Sequence, residues 1–512
     1  MKRTPSMHLA TVLAMLLGTF TATHAQAGKA HDTLVWTSEK ELATIDPYFG
    51  FVKETLIIAL YTCDMLLNFN PDKNEFEPLL AKNYKWIDDK TVEFDLREDV
   101  TFHDGQKFTA EDVKYTFDHI TTPGIGVLGG TYYDWLEKTE VVSPYKVRLI
   151  AKKPSPVALT YLANLMPILP KGHYDNAPSY QGKKNYGAVK LNCTGPYKVV
   201  SAVPGQSASF VANPNYFSGA KGKPKIGKIV FRTILDVDAA IAELVTGGVD
   251  WVWNIAKDKA DALKGMNQVT IVEGPAMRVR YVMMNTVDQS ANNPFKDIRV
   301  RRAVAHAINA NAIAKNLVGE KAEQVYSVCH PKQFGCYTDV PKYAFDPQKA
   351  RQLLTEAGYP NGFSTDIYSF RERPWTEAVI NDLRKVGINA NLRYLQYATV
   401  RQALRNGEAK IADQPWGSFG IADASAFTSY FFNGGPDDIN QDPDLHKWLT
   451  IADSSIDPNV RKENYKNALT RIAEQAYWQP LYTYTLTYGL SKDLDFKPDF
   501  DETPRFYQSG WK

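Results

Sequence analysis

Gly124-Ile125-Gly126-Val127-Leu128-Gly129 spells G-x-G-x-x-G, the pattern whose glycines let a pyrophosphate approach a helix N-terminus. That chemistry needs a strand before the pattern and a helix after it, whereas here a helical segment and Thr121-Thr122-Pro123 precede it. A glycine loop is the expected structure. No H-E-x-x-H, G-x-S-x-G or Walker sequence occurs, so zinc hydrolysis, serine acyl transfer and NTP hydrolysis have no local anchor. His103, His306 and His446 are scattered, and a general base needs a convergent partner that these spacings do not supply. Arg299, Arg301 and Arg302 cluster at the start of a helix without interleaved aromatics, which predicts surface ion pairs rather than a grip on phosphates.

Four cysteines complete the reactive inventory. Cys329 and Cys336 are close enough in sequence to staple one short loop, which leaves Cys63 and Cys193 to close a long one, although connectivity does not follow from sequence alone. Metal ligation is the rival reading. It lacks C-x-x-C spacing and has only His330 beside Cys329, so no metal and no cofactor are expected.

The elements that must position these groups begin with an export signal. Lys2 and Arg3 precede an apolar stretch from Leu9 to Phe20, and Ala25-Gln26-Ala27 follows as an A-x-A cleavage site. The mature chain is expected to start near Gly28, in an oxidising compartment. No cysteine follows the cleavage site to take a lipid anchor. The remainder is long enough for several lobes, and 59 basic residues against 57 acidic ones argue against a dedicated nucleic-acid or membrane-surface binder.

Leu34-Val35-Trp36 reads as a short apolar strand, followed by a helix from about Thr55 to Leu67. Val92, Phe94 and Leu96 alternate with Glu93, Asp95 and Arg97, the pattern of a half-buried strand. Thr109-Ala110-Glu111-Asp112 opens a helix running to about His119. A helical pattern over Asp297 to Val318 is open to division at Asn309 to Asn311. Asp346-Pro347 starts another helix at N-cap and N1, with Gly358 as its stop. Such alternation predicts mixed α/β lobes.

Leu80-Ala81 with Trp86, Val92-Glu93-Phe94-Asp95-Leu96-Arg97, Phe102-His103-Asp104-Gly105 and Phe108-Thr109-Ala110-Glu111-Asp112-Val113 occur in this order, with Thr194-Gly195-Pro196-Tyr197 and Asp297-Ile298-Arg299-Val300-Arg301-Arg302-Ala303 further on. This run resembles the signature of the peptide, oligopeptide and nickel family of bacterial extracellular solute-binding proteins, over essentially the whole mature chain. The resemblance implies an α/β, two-lobed periplasmic binding protein of type II, of the large class with an extra subdomain on the N-terminal lobe. It implies residues 28–275 plus 482–512 for the first lobe, about 50–165 for the extra subdomain and 276–481 for the second lobe. It also implies a monomeric, non-enzymatic periplasmic receptor that closes over a small solute and delivers it to the permease of an ABC importer.

Dipeptide-binding members of that family hold the ligand carboxylate with an Arg in an R-P segment and its amine with an Asp in W-x-x-D. Arg373-Pro374-Trp375 keeps the first feature here, and guanidinium suits a carboxylate. The second reads Trp416-Gly417-Ser418-Phe419, with an aromatic where the carboxylate would stand, and Asp423 is the candidate substitute. An ammonium enclosed without a counter-charge is costly, so an anionic peptide-like, opine-like or sugar-conjugate solute is expected over an ordinary dipeptide. Trp375, Trp416 and Phe419 are candidate stacking surfaces, joined by Trp253 from the first lobe. The rivals are an ordinary peptide receptor, a secreted hydrolase, and a metal receptor or haem chaperone.

Overall fold

The computed structural model describes residues 26–287, 292–418 and 420–512; the export signal expected within residues 1–27 falls almost wholly outside them, as does Phe419. Ten strands form one continuous sheet. In chain order they are β1 (Thr33–Ser38), β2 (Tyr197–Val203), β3 (Ser207–Ala212), β4 (Lys228–Thr233), β5 (Trp251–Val252), β6 (Val269–Met284), β7 (Phe363–Ser369), β8 (Ile388–Tyr394), β9 (Ile411–Gly417) and β10 (Trp478–Ser491). Their spatial order is β2-β3-β4-β1-β5-β10-β6-β9-β7-β8. Strand β1 lies between β4 and β5, parallel to both, and is buried at every position. That burial on both faces is why Leu34-Val35-Trp36 is an apolar run rather than an alternation.

Two long antiparallel strands, β6 of 16 residues and β10 of 14, join the halves of the sheet. Their register slips twice. Ala276 faces Tyr484 while Val279 faces Thr483, so Met277 and Arg278 bulge out of the ladder. A second irregularity separates Arg280, opposite Tyr482, from Tyr281, opposite Pro480. The apolar cores change over at the same place: Ala276, Met277 and Tyr484 belong to one cluster with residues of the N-terminal half, while Val279, Tyr281, Leu481 and Tyr482 belong to two others built from residues between 279 and 482. Two lobes thus share a sheet but not a core.

On the first lobe, a separate four-stranded sheet (Ala81–Trp86, Thr91–Leu96, Leu136–Ser143, Lys146–Ala151) contributes to that lobe's main cluster. Its second strand buries Val92, Phe94 and Leu96 as the alternation requires. Glu93, expected on the wet face, is buried as well, and the Arg148, Lys85 and Lys146 side chains around it hold its carboxyl down at about 2.

Helices start where their caps dictate. Helix α1 (Lys53–Thr62) ends five residues before the expected Leu67, because the buried Lys221 ammonium takes the carbonyls of Leu60 and Cys63 at 2.7 and 2.6 Å. Cys63 is then tied to Cys193, and Gly195 lies so close that a Cβ there would stand 2.5 Å from the Thr62 carbonyl carbon. Helix α2 (Ala110–Thr121) is opened by Asp112, whose carboxylate accepts the Thr109 backbone N–H at 2.7 Å. The G-x-G-x-x-G segment follows as a loop with Gly124, Gly126 and Gly129 in left-handed conformations. Helix α3 (Ile298–Ala307) stops at Ile308, and Asn309 caps a separate turn of helix by accepting the Ala312 N–H. In α4 (Pro347–Glu356), Asp346 accepts the Gln348 and Lys349 N–H groups at 3.0 and 2.9 Å.

Both cysteine pairs are bonded, Cys63 to Cys193 and Cys329 to Cys336. The arginine cluster departs from expectation. Arg299 does pair with Asp297, but Arg301 is buried and donates to the carbonyls of Gln475, Phe295 and Lys296, and Arg302 donates to that of Glu474. Two of the three guanidiniums therefore satisfy orphan carbonyls instead of surface acids.

The stapled loop also crosses to the other lobe. Lys332 lies 5.0 Å over the Phe500 ring, His330 stacks on that ring at 6.4 Å, and Asn74 donates to the Lys332 carbonyl. Burial, aided by Lys332, holds His330 down at about 4. A histidine kept neutral when folded and free to protonate at about 6.5 when unfolded makes the protein lose stability as pH falls from 6.5 towards 4. Urea unfolding at pH 6.5 and 4.5 is therefore expected to show the parent losing about 2 kcal/mol more than His330→Gln; an equal loss in both would remove His330 from the account.

Candidate functional site

The bulge in β6 places two arginines at the junction of the lobes. Arg280 is fully buried and its donors are all engaged. It makes a two-pronged contact with Asp413 of β9 at 2.9 and 2.7 Å, and donates to Glu372 at 2.8 Å, Tyr484 Oη at 3.0 Å and Thr376 at 2.9 Å. Trp375 covers it, 5.5 Å from the guanidinium carbon. Glu372 stands in the left-handed region at φ 44°, just before helix α5 (Arg373–Lys385), and its carboxylate also accepts from Tyr484. A carboxylate side chain held there by two donors is a strained position that its surroundings determine.

Arg278 is engaged differently. It makes one bond, Nη2 to Glu502 Oε2 at 2.7 Å, and its guanidinium lies 5.4 Å over the Tyr484 ring. Among the described residues its buried Nε has no acceptor, and the buried Glu502 Oε1 has no donor. Glu502 has φ 58°, another left-handed non-glycine. Beside it, Lys53 of α1 donates to Thr503 Oγ1 at 2.6 Å and to the Asp501 carbonyl; burial lowers the pKa of this ammonium against the pull of Asp501 and Glu502. Arg505 fastens the same tail through Asp499 and Asp501.

Aromatic groups flank this junction. Trp375 contacts Tyr482 and Tyr484 with ring centroids 6.0 and 5.1 Å away. Trp416 stacks on Tyr430 at 4.9 Å and donates Nε1 to the Ala426 carbonyl. With Tyr397, Arg401, Gln414 and Pro415 it lines a small pocket in the second lobe. Trp253 instead packs on Trp251 at 5.3 Å within the first lobe's core, and among the described residues its buried Nε1 has no acceptor.

The residues singled out in the sequence are thus dispersed. Arg373 is 62 % exposed at the first position of α5 and pairs with Glu377 at 2.9 Å, outside the buried network. Asp423 is buried and held by both Nη atoms of Arg461 at 2.9 Å, so its carboxylate is already neutralised. Trp416 belongs to β9, opposite Val279 of β6, whereas Trp375 sits on α5 against Tyr482 and Tyr484 of β10, and Phe419 lies outside the described residues. Sequence reasoning passed over Arg278, Arg280 and Glu502. The signal of the two arginines was Arg-Val-Arg inside the apolar run from Val279 to Met284 and just before it, charges in a strand whose neighbours are buried, whereas nothing near Glu502 marked it.

Among the described residues, no three His, Cys, Asp or Glu side chains are grouped to hold a metal, and no helix is long and apolar enough to cross a membrane. The family description "Bacterial extracellular solute-binding proteins, family 5 Middle" matches residues 75–438. The glutathione-binding protein GsiB of Escherichia coli K12 is 27 % identical over 500 residues, covering 93 % of this chain and 94 % of that protein. Among solved structures, HbpA2 from Haemophilus parasuis superposes with a TM-score of 0.81 at 23 % identity, over 94 % of this chain and all of that one. A dipeptide-binding protein from Pseudoalteromonas sp. SM9913, in complex with Met-Leu, gives 0.73 at 23 % identity, again over 94 % and 100 %. These likenesses share the two-lobed fold.

Proposed function

Because the chain belongs to the bacterial extracellular solute-binding proteins of family 5, we propose that it is the periplasmic receptor of an ABC importer, capturing a small carboxylate-bearing solute between its lobes. In this reading residues 1–27 are removed on export, residues 28–275 and 482–512 form one lobe with the extra subdomain near 50–165, and residues 276–481 form the other. The observation that carries it is the junction at β6 and β10. Only two strands bridge separate cores there, and a bulge sets the incompletely paired Arg278 at the point where a solute would touch both sides. Trp375 and Trp416 supply aromatic walls around it. Arg373, exposed on α5, belongs to the rim.

A solute that touches both lobes only when they close shifts the population towards the closed form, and its differential affinity drives the change. The protein acts as a monomer and releases its guest unaltered to the permease. GsiB is named for glutathione and the Pseudoalteromonas protein holds Met-Leu, which supports a peptide-like or opine-like guest.

A melting screen of the mature chain against peptides, opines, sugar conjugates and metals tests the reading. A true guest at 100 times its Kd adds about 2.7 kcal/mol of stability. Arg373→Ala removes only an exposed ion pair and is expected to leave that gain intact. No stabilising solute, or conversion of the guest into product, would sink the receptor reading.

A further inference from the structure

We propose that Arg278 and Glu502 form a zwitterion fork, in which the solute's carboxylate takes the Arg278 guanidinium and its ammonium takes the Glu502 carboxylate, replacing part of the contact the two side chains make with each other. The inference rests on the receptor reading and adds the charge pattern of the guest.

Three observations converge on this pair. The first is unused bonding capacity. One bond joins the two side chains, while Arg278 Nε and Glu502 Oε1 are both buried without a partner among the described residues. Buried polar atoms are nearly always satisfied, and a guanidinium has five donors. Arg280, two residues along, shows the alternative: its donors are taken up by Asp413, Glu372, Thr376 and Tyr484. The second is the glycine opposite. Gly417 faces Arg278 across the β6–β9 ladder, and a Cβ built on it would press on Arg278 Nε at 3.3 Å. Glycine at 417 is what leaves that donor uncovered. The third is backbone geometry. Arg278 lies within a bulge and Glu502 adopts a left-handed conformation, the kinds of local distortion that re-aim side chains at binding sites.

Charge balance then selects the guest. An acid bound to Arg278 alone would leave the buried Glu502 beside a second negative charge. An amine bound to Glu502 alone would set two cations together. A guest bearing both charges keeps the sum unchanged, which makes a zwitterion the favoured class. The amine counter-charge that W-x-x-D does not supply here comes instead from the C-terminal tail of the first lobe.

Calorimetric titration of the mature protein with Met-Leu and glutathione, each also N-acetylated and C-amidated, tests the fork. The parent is expected to bind at least one zwitterion, and to lose tenfold or more when either terminus is blocked. Glu502→Gln should bind the free and acetylated forms equally, Arg278→Gln should bind the acid and amide equally, and Gly417→Val should weaken the zwitterion tenfold or more. Melting of the unliganded variants identifies any that fail to fold; Arg278→Lys, which keeps the charge without the fork, then stands in and is expected to weaken binding in the same direction. Full discrimination retained in both Arg278 and Glu502 variants would overturn the fork. So would failure of both zwitterions to bind while another solute of the screen stabilises the protein, an outcome that leaves the receptor reading standing; failure of every solute would end both.

Discussion

Arg280→Met is expected to cost about 3–5 kcal/mol of unfolding free energy, the usual effect of removing one partner from a buried ion pair. Arg280 and Asp413 both have fully buried side chains, and methionine would leave Asp413 with a charge and no guanidinium. Taking the aspartate away as well should recover much of the loss. In the Arg280→Met, Asp413→Leu double variant, desolvation of both charges disappears together with their attraction, and the two terms are of similar size. Glu372 softens neither comparison greatly, because it is partly exposed and keeps the Tyr484 hydroxyl. Urea titration of the parent, both single variants and the double measures the coupling. A single variant that loses under 1 kcal/mol, or a double whose loss is the plain sum of the singles, would show that this network does not lock β9 and α5 onto the crossing strands.

What the sequence disclosed and what it withheld follow from the range of the forces involved. Caps are local, so Asp346-Pro347 and Thr109 to Asp112 could be read from a few neighbouring residues, and the helices begin where those residues place them. Alternation is local too, and it located the buried face of the strand at Thr91–Leu96. It could not see that Lys85, Lys146 and Arg148 would gather around Glu93 and bury that one carboxylate on an otherwise solvated face. Helix ends that depend on distant groups were equally hidden: nothing near Thr62 announces Lys221, whose ammonium closes α1 from across the lobe.

The site was legible only in outline, for the same reason. Arg278 and Glu502 are 224 residues apart, and Arg280 meets Asp413 across 133. Such pairs exist only after the sheet has formed. Arg373 and Asp423 caught attention because of their sequence neighbours, yet the structure gives each a nearby or buried partner, Glu377 for one and Arg461 for the other. The aromatic candidates fared differently. A large ring has few places to go except a core or a cleft, so Trp375 and Trp416 stand near the lobe junction whichever neighbour holds the solute's charges.

The two disulfides provide the second large effect, and loop length orders them. In the chain-entropy picture, cross-linking removes freedom from the unfolded chain in proportion to the logarithm of the loop it closes. Cys63 and Cys193 are 130 residues apart, Cys329 and Cys336 only 7. That relation assigns about 5 kcal/mol to the first and about 2.5 kcal/mol to the second. The Cys63 pair is also packed at the end of α1, beside the buried Lys221–Asp64 ion pair, so its loss loosens a site where a charge depends on fixed geometry. The Cys329 pair shapes the loop through which His330 and Lys332 meet Phe500, and its loss should act more on lobe contact than on either core. Cys63→Ala with Cys193→Ala is therefore expected to lower stability roughly twice as much as Cys329→Ala with Cys336→Ala. Denaturant titration of both double variants reads the order directly, and the reverse order would mean that local contacts of the short loop, rather than unfolded-chain freedom, set the contribution of these bonds.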